Sequence, residues 1–384
     1  MADVTCPNCG HQVPEGTWCI RCGHALDGAA RARPGAGFAA APNERAGSPR
    51  VISTLFPALP RADMDAFRIA LLVGLAGVVA LTVARLFPVA IVSAALLVPL
   101  LTVVYLYDVD VYENQPFRVI AFTLAWGALA GVGMGLLADA VATAGPDLAV
   151  EKESQDVVLR GVIFPLAAVA LTLAGPLVLL PQRKFNDVLD GVTFGAACAV
   201  AFTSAQVITT AASLLEGGLR PDGEIVPWVA RVLAVAVAQP VLAMATIGAA
   251  AGAWWLRYRA PVKDRRALGF LGHPIVATLV AAGLVVLGAI GQPLLPIGWW
   301  LAELVVLDLV ALLWLRRTIH LGLLQEAAEI EVGPEFDCPN CGQRTAKHSF
   351  CRNCGIALAA LPKRAGEEGA GPAPGEPAGE GGAA

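Results

Sequence analysis

Between residues 66 and 316 the chain carries one apolar run after another, each of about 18 to 25 residues and long enough as a helix to cross about 30 Å of hydrocarbon. So many runs cannot be hidden in one soluble core; they need lipid. The composition agrees, with 56% apolar and only 15% charged residues, where soluble domains keep roughly a quarter charged. The expected spans are Ile69–Phe87, Pro88–Tyr107, Val119–Ala142, Gly161–Pro181, Gly191–Ser213, Val229–Leu256, Phe270–Ile290 and Gly298–Leu315. The fold class is therefore all-α: a polytopic, multi-pass membrane helix bundle of about eight transmembrane helices, over residues 61–330. The first two spans are separated only by Arg85-Leu86-Phe87-Pro88, which predicts a tight hairpin or one long kinked helix. Pro165, Pro176 and Pro240 are expected to kink their spans.

Loop charges predict the orientation, because cytoplasmic loops carry the Lys and Arg excess. Counted from an inside N-terminus, the cytoplasmic set holds Arg61, Arg68, Arg118, Arg183, Lys184, Arg257, Arg259, Lys263, Arg265, Arg266, Arg316 and Arg317. The other side holds only Arg85, Lys152, Arg160, Arg220 and Arg231, with the acidic stretch 147–156. Both termini are thus expected in the cytoplasm of a cell-membrane protein. Residues 1–26 carry a cysteine motif where a secretory signal would place a basic segment and an apolar run, so the first span should direct insertion. The formal charge of −4 gives no reason to expect nucleic acid as a partner; the lipid bilayer is the partner that the composition demands.

Outside the spans, residues 27–60 and 362–384 are rich in Ala, Gly and Pro without helical or strand period and read as a disordered linker and tail. Residues 316–330 place Ile319, Leu323 and Ala327 at helical spacing among charges. This predicts either an interfacial amphipathic helix or a simple continuation of the last span.

The two ends repeat one motif. Cys6-Pro-Asn-Cys9-Gly, nine residues, then Cys19-Ile-Arg-Cys22-Gly opens the chain; Cys338-Pro-Asn-Cys341-Gly, nine residues, then Cys351-Arg-Asn-Cys354-Gly closes it. Trp18 matches Phe350 and Leu26 matches Leu358, so these are internal repeats, residues 1–26 and 331–361. A Cys-x-x-Cys turn presents two thiolates to one ion, the following glycine permits the tight knuckle, and two turns complete a tetrahedron. Zn²⁺ is the expected cofactor, one structural ion per ribbon, because four ligands leave no open position for catalysis. With so little core, each ribbon should depend on its metal for folding. His11, His24 and His348 are the alternative ligands, and a disulfide or redox motif is the alternative chemistry. Cys198, the ninth cysteine, lies inside a span and reads as a packing residue. Ribbons of this kind resemble those at the ends of many bacterial membrane proteins, which implies protein partners docked through them.

Polar residues deep in lipid are the functional candidates of the membrane part, because an ionised side chain at mid-bilayer costs at least about 2.5 to 3.5 kcal/mol. They are Gln206, Arg231, Gln239, His273, Glu303 and Asp308. Arg231 and Glu303, on the sixth and eighth spans, could pair near the outer boundary, as could Gln239 and Asp308 near the midplane. Asp187-Val-Leu-Asp190-Gly191-Val-Thr-Phe194-Gly195 followed by Phe202-Thr-Ser-Ala-Gln206 resembles the segment of PrsW-type intramembrane proteases in which an Asp-Gly loop enters a small-residue helix ending in Phe-x-x-x-Glu. The resemblance covers a core of about residues 160–255.

In that family the resemblance implies a Glu-Glu-x-x-Lys helix upstream, the glutamate of Phe-x-x-x-Glu, and a later histidine. Here Ala168, Val169 and Thr172 stand at the first set, Gln206 replaces the glutamate, and the histidine falls near Gln239 or Pro240. Glutamine keeps the shape of a glutamate but cannot carry protons. The expected function is a membrane scaffold or regulator, a catalytically inactive relative or pseudoenzyme, whose helices could still hold a transmembrane segment. The alternatives are a protease with displaced groups, Glu303 and Asp308, and a transporter or channel using Asp308. Five residues apart on one helix, the two acids point about 140° away from each other.

Overall fold

The structure is a computed structural model and describes residues 3–27, 38–41, 43–48, 50–56, 65–108, 117–143, 157–216, 225–260 and 268–358. The acidic stretch 147–156 and the tail 362–384 lie outside the described residues. The chain divides into two compact units, one of residues 61–325 and one that gathers residues 1–60 and 326–384.

Among the described residues of the larger unit, eight helices are long and apolar enough to span a membrane: Ala66–Val83, Phe87–Leu106, Phe117–Val141, Leu159–Leu179, Val188–Ala211, Ile225–Tyr258, Pro274–Leu294 and Ile297–Ala327. The first two form a hairpin, because the first helix stops at Val83 and Arg85 turns the chain at φ +61°. The eighth helix runs unbroken from Ile297 to Glu329, so residues 316–329 continue the last span. The fourth and sixth spans each contain one wide π turn, Leu159–Ile163 and Ala234–Ala238, shortly before Pro165 and Pro240. A proline lacks an N–H and crowds the carbonyl four residues back; the widened turn takes up that strain inside a continuous span. Pro176 instead sits within the regular helix Phe164–Leu179.

Lipid offers no hydrophobic drive for helix association, so these helices pack through close backbone approach at small residues. The fifth span is held on two sides in this way. On the third span Gly127 and Gly131 lie against the carbonyl oxygens of Cys198 and Phe202, where any Cβ would overlap them, and a Cβ on Gly135 would stand 2.8 Å from Thr209 Cβ. On its other side Gly191 meets Trp255, and Gly195 meets Ala251 Cβ and the Ile247 carbonyl, each 2.8 Å from the missing Cβ. Gly252 of the sixth span faces Val192 and also Thr318 of the eighth. Indole N–H groups add hydrogen bonds between spans: Trp126 to the Leu171 carbonyl at 2.9 Å, Trp254 to Thr278 Oγ1 at 3.1 Å and Trp300 to the Gly288 carbonyl at 2.7 Å.

In the smaller unit each ribbon opens with an antiparallel hairpin: β1 (Asp3–Thr5) with β2 (Gln12–Pro14), and β3 (Glu335–Asp337) with β4 (Arg344–Ala346). Part of the stretch expected as a disordered linker is ordered here. Arg45 bridges to Ile356, and Ala357 N–H donates to the Glu44 carbonyl at 2.7 Å. The buried Glu44 carboxylate accepts from Ala41 N–H, Arg50 N–H and Ser53 Oγ, tying the one-turn helix Val51–Leu55 to this strap. A carboxylate can gather several backbone donors, which is why an Ala- and Pro-rich stretch holds one shape.

The glycine contacts give a direct test in the detergent-solubilised protein. Gly131→Leu should cost about 1–3 kcal/mol or more through overpacking and lower the thermal midpoint, whereas Gly133→Leu, where nothing lies within 4 Å of a Cβ, should leave it unchanged.

Candidate functional site

The local fold of the four Cys-x-x-Cys turns is the same each time. The N–H of the glycine after the second cysteine donates to the carbonyl of the first, at 2.9 Å for Gly10 and Gly23, 2.8 Å for Gly342 and 3.0 Å for Gly355. These glycines have φ of +73°, +67°, +68° and +67°, a region that side-chain-bearing residues disfavour. Each turn is thereby closed into a knuckle that aims two sulfurs at one point.

Cys6, Cys9, Cys19 and Cys22 form one quartet and Cys338, Cys341, Cys351 and Cys354 the other, with the sulfurs of each quartet within 4.8 Å of one another. The pairs Cys6–Cys22 and Cys9–Cys19 stand at 3.6 and 3.9 Å, and Cys338–Cys354 and Cys341–Cys351 both at 3.8 Å. A tetrahedral ion with metal–sulfur bonds of about 2.3 Å has sulfur–sulfur edges of about 3.8 Å. The donor sets fit a four-coordinate metal and are far too open for disulfides, whose sulfurs lie about 2.05 Å apart.

Charge explains why such a quartet wants a cation. Hydrogen bonds from Cys19 and Cys22 pull the Cys6 thiol down to about 6, while Cys19, Cys6 and Cys9 together push Cys22 up. In the second ribbon, against the cost of burial, the Asn340 amide at 3.5 Å helps bring Cys354 down to about 7. The first thiolates thus form easily and the last only beside a positive ion.

The histidines are not part of these sites. His11 Nδ1 contacts the Cys9 carbonyl at 2.9 Å. His348 is buried, with Nδ1 at 3.0 Å from the Ile20 carbonyl and Nε2 at 3.2 Å from the Ile330 carbonyl. Burial, with the Arg21 charge adding to it, holds His348 below its ordinary value, so the neutral imidazole is the native form.

The polar residues of the membrane unit do not assemble into one centre. Arg231 is exposed and lies over the Trp228 ring, 5.2 Å from its centroid. Glu303 instead presses against Gly291, with its Oε2 buried and lacking a hydrogen-bond partner. The expected Arg231–Glu303 pair is therefore not formed: Arg231 is satisfied by the ring one turn before it on its own helix. Asp308 is buried with Oδ1 also unpartnered, and no hydrogen bond joins it to Gln239, which follows the π turn of the sixth span. Gln206 is half-buried on the fifth span, and His273 is exposed just before the seventh.

The Asp-Gly pair of the fifth span has a structural role. Asp190 Oδ2 accepts from the Asp187 N–H at 3.2 Å across the first turn of the helix, as in a capping box, and Gly191 leaves room for Trp255. Cys198 is buried where Gly175 of the fourth span crosses the fifth.

Residues 115–287, covering the third to sixth spans and most of the seventh, match the family described as PrsW family intramembrane metalloprotease. The membrane unit carries a PrsW-family domain. No curated protein and no solved structure matches the chain. The match extends well beyond the core of about 160–255 that carries the sequence resemblance.

A metalloprotease needs a cluster of metal ligands in its membrane domain. Among the described residues, the groups of three or more His, Cys, Asp or Glu that could hold one ion are the two cysteine quartets, and neither lies within 115–287. His273 is the single histidine of the matched segment. The described residues of the PrsW-family domain therefore do not fit a catalytic metal centre.

The buried His348 gives a pH prediction. Its pKa is lower folded than unfolded, so its contribution to stability is complete above the ordinary value of 6.5 and is lost as pH falls through the folded value. The difference in thermal midpoint between the wild type and His348→Gln, measured against pH, should be level above about 6.5 and shift against the wild type below it.

Proposed function

We propose that this protein is an integral membrane scaffold or regulator, a catalytically inactive relative of PrsW-type proteases whose helix bundle holds a partner's transmembrane segment. Its ribbons, loaded with structural zinc, serve as interaction modules in the cytosol. The observation that carries the reading is what fills the positions where the resemblance implies acids and a lysine. Ala168 packs beside Met134, Phe164 and Phe202. Val169 is buried among Leu173, Ala199, Ile247, Ala251 and Ala282. Thr172 turns its hydroxyl back to the Ala168 carbonyl at 2.6 Å. These positions are packing surfaces with no group able to take a proton from water and return it to a leaving amine.

Gln206 supports the same reading, since an amide keeps the hydrogen-bonding shape of the family's glutamate without its titration. The fold of a family can persist after its chemistry is gone. The loop-charge asymmetry supports a cytoplasmic placement of both termini, and reduced thiols at the two quartets suit that compartment.

A second reading rests on Asp308. A buried carboxylate with an unpartnered oxygen is costly in a membrane unless it serves a proton, an ion or a substrate. In that reading Asp308, alone or with Glu303, carries a displaced protease or a transport step.

The discriminating experiment incubates the purified, detergent-solubilised protein with labelled single-span substrates, beside Gln206→Ala, Glu303→Ala and Asp308→Ala. The expected outcome is no cleavage by any form, with single-span segments still recovered in pull-down. Cleavage that disappears in Glu303→Ala or Asp308→Ala would overturn the inactive reading and assign a rearranged protease site.

A further inference from the structure

The presence of two metal sites does not explain how the ribbons meet within their unit. The contacts follow a two-fold rule. Trp18 and Phe350 immediately precede the third cysteine of their ribbons, and Ile20 and Arg352 immediately follow it. Trp18 N–H donates to the Arg352 carbonyl and Phe350 N–H to the Ile20 carbonyl, both at 2.9 Å.

The rings obey the same rule. The Trp18 indole lies on Gly355, where a Cβ would stand 2.8 Å from it, and the Phe350 ring lies on Gly23 at 3.3 Å. Gly23 and Gly355 are equivalent, each directly after the fourth cysteine. When residue i of one module meets j of the other and j also meets i, the interface is isologous; here both modules belong to one chain. The strap breaks the symmetry and touches both contacts, with Phe38 edge-on to Phe350 at 5.0 Å between centroids, Ala46 against Gly23 and Gly47 against Trp18.

Each ring thus rests on a knuckle of the other ribbon, and that knuckle has its shape only when its own cysteines hold an ion. Neither ribbon brings much core of its own. We propose that the two quartets are one coupled metal unit, in which each ion stabilises the opposite ribbon through the reciprocal Trp18–Gly355 and Phe350–Gly23 contacts. The ions load and leave together, and the two ends of the chain are joined only in the doubly loaded state. By linkage the coupling is symmetric: the first ribbon must raise the affinity of the second by the factor that the second raises the first.

The test uses the full-length protein in detergent, stripped with a chelator and titrated with Co²⁺ in a metal buffer, reading the cobalt–thiolate absorbance. The wild type should fill both quartets in one cooperative transition without a half-loaded plateau. Trp18→Ala, with all eight cysteines intact, should separate it into two steps. Cys338→Ser with Cys341→Ser should weaken cobalt binding at the remaining N-terminal quartet tenfold or more, and Cys6→Ser with Cys9→Ser should weaken the C-terminal quartet by the same factor. Two independent sites in the wild type, or a remaining quartet whose affinity stays within twofold of its wild-type value in both cysteine variants, would overturn the proposal. Should Trp18→Ala fail to load at all, the two cysteine variants decide, since each is read at a quartet that carries no substitution.

Discussion

The membrane unit depends on how closely the backbone of its fifth span can be approached. Side chains there are small on two faces, and the neighbours answer with glycine: Gly127, Gly131 and Gly135 on the third span, Gly248 and Gly252 on the sixth. At such distances the attraction is dispersion between backbones, individually weak and summed over several turns. Larger residues fill the remaining gaps: Phe202 packs with Met134 and Phe164 in mid-span, and Phe194 and Phe185 pack edge to face at 5.0 Å with Trp255 closing the same cluster. The other spans are positioned against this three-helix centre by indole hydrogen bonds and by aromatic contacts such as Phe87 on Trp228.

That centre is also where the PrsW-family match lies, which explains how the domain can be kept while the residues that the resemblance leads one to expect are replaced. Ala168 and Val169 face the packed interior, so apolar residues at these sites add contacts and cost nothing in desolvation, whereas acids there would have to be paid for by partners. Glu303 and Asp308 are on the eighth span, outside the matched segment. One oxygen of each, Glu303 Oε2 and Asp308 Oδ1, is buried without a hydrogen-bond partner.

The spans were legible in the sequence because lipid leaves a long apolar run little choice but helix. Their ends were less so. Arg85 turns the first hairpin at a φ that nothing about arginine announces, and Arg316-Arg317 do not stop the eighth helix, since long cationic side chains are tolerated on a helix leaving the membrane. The Arg231–Glu303 pair does not form because Arg231 lies over Trp228 on its own helix, a nearer partner than an opposite charge on another span. In the ribbons, cysteine spacing fixed both ligand sets. The strap and the pairing are not legible in composition: an Ala- and Pro-rich stretch looks featureless, although Glu44 gathers the Ala41 and Arg50 N–H groups and holds it. The signal for the pairing is the recurrence of an aromatic residue just before the third cysteine: Trp18 and Phe350 pack between the ribbons.

The pairing imposes a condition on the membrane unit that the loop charges do not use. Two ribbons from the opposite ends of one chain can meet only if both ends lie on the same side of the bilayer, so the number of crossings between them must be even. The eight helices found among the described residues satisfy it, and a seven- or nine-span arrangement would not. The hairpin at Arg85 is what makes the count even: read as one long kinked helix, the first two spans would contribute a single crossing and leave the ribbons on opposite sides. The left-handed turn at Arg85 and the Trp18–Gly355 contact, far apart in the chain, are therefore two parts of one topological requirement.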